Sequence, residues 1–96
     1  MICKIYKENQ QVSIVIELTL QNLPLGSSGR ISRCLSPLRD DIYRLLEMGL
    51  CRGAQVTVLR KEVNASAIEL GLKSSRLCIA KELAGEFMAE IPAHKG

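Results

Sequence analysis

The chain has 96 residues, 47% of them hydrophobic and 24% charged, with a formal net charge of +3 at pH 7. That length makes one domain with a single modest core, and the composition is globular rather than disordered. Tyr6, Tyr43 and Phe87 are the whole aromatic complement, so the core is aliphatic, and neither a base-stacking platform nor an aromatic groove for proline-rich peptides is expected.

Residues 1–7 alternate weakly, and 8–11 are polar enough for a turn. Val12, Ile14, Ile16, Leu18 and Leu20 then alternate with Ser13, Glu17 and Thr19, the pattern of a half-buried strand. The two segments can pair as a hairpin whose first strand is an edge. Such an edge tends to find a second copy, so a homodimer through the N-terminal strand is one expectation. The apolar run 12–16 is too short for a signal peptide and is ended by Glu17. No window reaches the roughly 18 apolar residues of a membrane span. The chain therefore reads as cytoplasmic, at most peripheral at a membrane through a partner.

Pro24, Gly26, Ser27, Ser28 and Gly29 make 21–29 a loop. Its Gly-Ser-Ser-Gly-Arg core lacks both the spacing and the Lys-Ser/Thr of a phosphate loop. Ile31, Arg33 and Leu35 at alternate positions predict a strand over 29–35. The spacing of Leu38, Ile42, Leu45 and Leu46 predicts a helix over about 37–48, capped by Ser36 and started by Pro37. Asp40 and Asp41 suit its first turn, and Asp40 can pair with Arg44 at i, i+4. Gly49 stops the helix and Leu50 folds back onto its last turn, as in a Schellman motif. A turn at Arg52-Gly53 follows.

Ala54, Val56 and Val58 give a strand over 54–61, with Leu59 breaking its polar face. A hairpin loop at 62–67, strands over 68–72 and 76–80, a turn or single helical turn at 81–85, a strand over 87–91 and a frayed tail complete the chain. Five or six short strands with one helix predict a mainly β fold, a small SH3-like barrel whose closure removes exposed edges. Residues 1–17 read as an N-terminal extension, 18–91 as the domain and 92–96 as a flexible tail.

Catalysis finds little to stand on. The single histidine, His94, lies in the tail, and adjacent Asp40 and Asp41 point about 100° apart on a helix rather than at one substrate. Cys3, Cys34, Cys51 and Cys78 are scattered with no Cys-x-x-Cys, which favours free thiols and offers no three-ligand metal site. Cys51, in a turn, is the expected reactive thiol, and Cys78 is expected on an exposed face. No cofactor is expected beyond weak contact with a transition-metal ion.

The stretches Leu23-Pro24-Leu25-Gly26, Gly29-Arg30-Ile31, Arg44-Leu45-Leu46-Glu47-Met48-Gly49-Leu50 and Arg52-Gly53-Ala54-Gln55-Val56-Thr57-Val58 together resemble the FeoA family. The likeness covers roughly 18–91. It implies an SH3-like fold similar to the C-terminal domain of DtxR-type repressors. It also implies a non-enzymatic accessory of ferrous-iron uptake, partnered by the membrane GTPase and permease FeoB. Many members carry a Gly-Asp-Pro loop where this chain has Val63-Asn64-Ala65-Ser66-Ala67.

Within that motif Gly26, Gly29, Gly49, Leu50 and Gly53 read as structural. Arg44, Glu47, Met48 and Arg52 read as a partner-docking surface, because methionine and arginine suit adaptable interfaces. The alternative is a small basic barrel that binds nucleic acid through Arg30, Arg33, Arg39, Arg44 and Arg52, or a regulatory metal-responsive domain.

Overall fold

Period-two alternation of aliphatic residues builds seven strands, all joined in one antiparallel sheet ordered β1-β2-β7-β3-β4-β5-β6. They are β1 (Ile2–Glu8), β2 (Gln11–Thr19), β3 (Ser28–Cys34), β4 (Gln55–Arg60), β5 (Ala67–Gly71), β6 (Arg76–Ala80) and β7 (Phe87–Pro92). Helix α1 (Asp40–Glu47) joins β3 to β4, and the single helical turn α2 (Lys81–Ala84) joins β6 to β7. The computed structural model describes residues 2–8, 11–62 and 64–92, with side chains from residue 14 onward. The expected tail with His94, the side chain of Cys3 and part of the 62–67 loop lie outside the described residues.

The fold is the small SH3-like β structure expected, with the N-terminal hairpin added to the same sheet in register from Ile2 opposite Glu17 to Glu8 opposite Gln11. The expected closure of the ladder is not made, and β1 and β6 are its two edges. Residues 81–84 leave β6 directly as α2, which packs on β5, β6 and the 3-10 turn Leu20–Asn22. The Gln21 amide donates to the Lys81 carbonyl at 3.2 Å, so a side chain ties the 3-10 turn to the start of α2. The core is aliphatic apart from Phe87: Leu20, Leu23, Ile42, Leu50 and Ile68 have no accessible surface. Truncating a side chain as buried as Phe87 costs about 3–5 kcal/mol.

Helix α1 starts later than the sequence predicts, with Arg39 rather than Ser36 as the residue before it. The Ser36 hydroxyl donates instead to Oε1 of Glu86 at 2.7 Å. Residues 36–39 form a turn closed by the Arg39 N–H on the Ser36 carbonyl, with Pro37 in the second position that such turns favour. Leu38 thereby leaves the apolar stripe and stands 95% exposed at the apex. Asp40 and Arg44 make no ion pair among the described residues. Arg39 pairs with Asp41 instead, at 2.8 Å.

The sheet carries two bulges, the first of which moves side chains off their expected faces. Between Ile31 and Arg33 the register of β3 on β7 shifts, so Ile31 is buried while Arg33 and Leu35 are exposed. Between Val58 and Arg60 the register of β4 on β5 shifts likewise. Leu59 is left 41% exposed and lies over Gly71, where an added Cβ would sit 3.1 Å from it.

Candidate docking surface

The last turn of α1 and the turn after it form one rigid corner. The Leu50 N–H donates to the Leu45 carbonyl at 3.0 Å and the Gly49 N–H to the Leu46 carbonyl at 3.2 Å, the paired bonds of a Schellman motif. Gly49 has φ +110°, a conformation that L side chains resist, and this is the physical reason a glycine stands there. Leu50 drops back into the core with no accessible surface. The chain then turns through 51–54, with Gly53 at φ +90° and the Ala54 N–H on the Cys51 carbonyl at 3.0 Å.

That turn is bolted to β3. The Gly53 N–H donates to the Ile31 carbonyl, and the Ile31 N–H donates to the Ala54 carbonyl, both at 2.8 Å. Gly26 occupies another turn at φ +83°, its N–H donating to the Val58 carbonyl. Gly29 is buried against β7, where a Cβ would lie 3.1 Å from Ile91 and 3.2 Å from the Glu90 carbonyl.

Around this corner Arg44, Glu47, Met48 and Arg52 are all exposed, Met48 to 57%. Two grooves meet at Gly53. One, of about 690 Å³, runs between Met48, Gly49 and the β5–β6 turn at Leu72 and Lys73. The other, of about 610 Å³, runs between Arg52, Leu46 and the bulged part of β3. Met48 thus lines one groove and Arg52 the other, while Arg44 and Glu47 stand on the wet side of α1. Cys51 and Cys78 are exposed free thiols, as expected, and Cys34 is a half-buried one.

A feature that sequence reading missed lies on the second groove. Glu17, placed by alternation on the polar face of its strand, has no accessible surface. Its carboxylate accepts from the Ser32 hydroxyl at 2.6 Å and from the Arg33 guanidinium at 3.3 Å. The bulge is what turns both consecutive residues toward it. The one signal in the sequence was a lone acid in an otherwise aliphatic strand, which does not reveal its partners.

Charge at the entrance to α1 is also organised. The Arg39 guanidinium donates twice to Asp41, at 3.1 and 2.8 Å. Those hydrogen bonds hold the Asp41 carboxyl below the usual aspartate range and raise Arg39 above its own. Among the described residues no three Cys, His, Asp or Glu side chains converge as metal ligands. No helix among them is long and apolar enough to cross a membrane.

The FeoA domain family model matches residues 18–90. No curated protein sequence matches the chain. Among solved structures, an iron uptake regulatory protein (FeoA) is 26% identical with a TM-score of 0.67, over 79% of this chain and 99% of that one. A Stenotrophomonas maltophilia FeoA complexed with zinc, described as a prokaryotic SH3 domain protein, is 21% identical with a TM-score of 0.67, over 80% and 99%. A manganese-dependent transcriptional repressor matches in fold at 18% identity and a TM-score of 0.69, over 84% of this chain and 45% of its own. With a family match across most of its length, this chain belongs to the FeoA family.

Proposed function

We propose that this chain is a non-enzymatic accessory of ferrous-iron uptake that docks on the cytosolic part of an FeoB-type membrane GTPase and biases its assembly or activity. A role in ferrous-iron transport follows from family membership, and the Stenotrophomonas maltophilia relative is described as a candidate ferrous iron transport activating factor. The observation that carries the docking reading is the corner after α1. Arg44, Glu47, Met48 and Arg52 are held out by a backbone pinned through the N–H groups of Gly49, Leu50, Gly53 and Ala54, with Leu50 buried. A contact surface fixed in advance loses little entropy on binding. Any regulation then requires unequal affinity for the nucleotide states of the partner.

The experiment is pull-down of the membrane GTPase in its GDP and GTP-analogue states by the native chain and by Met48→Asp, alongside iron uptake in cells carrying each. Met48 is exposed, so the variant keeps its fold. It is expected to lose both binding and uptake. Equal, negligible binding by the native chain in every state overturns the proposal. The edge strand β1 is the expected site of any pairing with a second copy, and light scattering of the full chain against a form lacking 1–10 tests that.

A further inference from the structure

We infer that the groove between the β3 bulge, α1 and the turn 51–54 receives an acidic peptide segment of a protein partner, its carboxylates on arginine and an apolar side chain against Leu46. Three guanidinium groups border it: Arg30 and Arg33 from β3, and Arg52 from the turn. Arg30 and Arg33 reach the same groove because the bulge at Ser32 cancels the alternation that would send them to opposite faces. Arg30 and Arg52 are exposed and make no ion pair among the described residues. Arg33 is held by the buried Glu17 at 3.3 Å. The second acid on the groove, Glu90, lies opposite Arg30 in register.

Three features favour a peptide carboxylate. Arginine presents a planar fork that matches a carboxylate in two parallel hydrogen bonds. The half-buried Leu46 and the exposed Pro37 line the groove beside the arginines, so it offers an apolar anchor that a free anion cannot use. No aromatic ring among the described residues lines the groove, which removes the stacking by which single-stranded nucleic acid is held. The frame is also fixed, since Ile31 exchanges backbone hydrogen bonds with Gly53 and Ala54 and so ties the Arg52 turn to the Arg30 strand. This inference does not rest on the identity of the membrane partner, although Arg52 belongs to both surfaces.

The test is an amide-resonance titration of the full chain with four probes: a Glu-Glu-Leu-Glu-Glu peptide, the same peptide with glutamines, inorganic phosphate, and a short single-stranded oligonucleotide. The acidic peptide is expected to shift resonances of Arg30, Arg33, Cys34 and Arg52, and the glutamine peptide to leave them in place. The Arg30→Gln/Arg52→Gln double variant is expected to keep its amide dispersion and weaken binding about tenfold, or about 1.4 kcal/mol. No response to the acidic peptide, equal affinity in the double variant, matching shifts from phosphate alone, or tighter binding of the oligonucleotide would each overturn the inference. Because Met48→Asp leaves these arginines untouched, failure here is separable from failure of docking on the GTPase.

Discussion

The Ser32 hydroxyl lies 2.6 Å from a carboxylate oxygen of Glu17 that has no access to solvent. A buried charge is tolerated only where donors replace the water it has lost. Ser32 and Arg33 supply two of those donors. Ser32→Ala is therefore expected to destabilise the chain by about 1.5–3 kcal/mol, the cost of withdrawing a donor from a buried charged group. Glu17→Gln is also expected to destabilise, since its amide oxygen still accepts from Ser32 but its NH2 then faces the Arg33 guanidinium, donor against donor. Urea unfolding of the two variants measures both, and a Ser32→Ala midpoint equal to that of the native chain would refute the role given to the pair.

Two motif glycines resist substitution for different reasons. Gly49→Ala meets only Leu72, at an ordinary contact distance of 3.6 Å, but must hold φ +110°, which costs on the order of 1 kcal/mol or more. Gly29→Ala has no such strain and instead meets Ile91 and the Glu90 carbonyl at 3.1 and 3.2 Å. A backbone carbonyl cannot rotate away as a side chain can, so the strand pairing of β3 with β7 must give. Thermal melts should show both variants destabilised, with perturbed β7 amides in Gly29→Ala alone.

Leu38→Ser is expected to change stability by no more than about 0.5 kcal/mol, the range of exposed substitutions. Were Leu38 on the buried stripe, as its spacing from Ile42 suggests, removing it would cost about 2–5 kcal/mol. A single denaturation curve separates the two.

Asp41 supplies a pH dependence of known sign. Its carboxyl titrates below the usual aspartate value because Arg39 hydrogen-bonds to the ionised form. The stabilisation is therefore complete above the unfolded-state value of about 3.9 and is lost as pH falls through the lower folded value. Carboxyl-carbon NMR should place the Asp41 midpoint below the ordinary one, and Arg39→Ala should return it upward. Because both side chains are largely exposed, added salt should shrink the difference.

Whatever depends on neighbours a few residues apart was legible in the sequence. Strand periodicity marked the strands to within a residue or two. The Gly49 stop followed from the need for positive φ after the last turn, and the turn at Gly53 from the residue type. Tertiary structure decided wherever a distant group competed for the same atoms. Ser36 has the chemistry of a helix cap, but Glu86, fifty residues away, takes its hydroxyl, and α1 starts later for that reason. Alternation gave Glu17 a solvent face, yet the bulge in β3 brings Ser32 and Arg33 over it. Closure of the sheet was likewise beyond the reach of alternation: β6 runs straight into α2, which packs on the 3-10 turn after β2, and β6 pairs with β5 alone. Local dihedral preferences are written residue by residue, whereas a long-range hydrogen bond exists only once the chain has brought its two ends together.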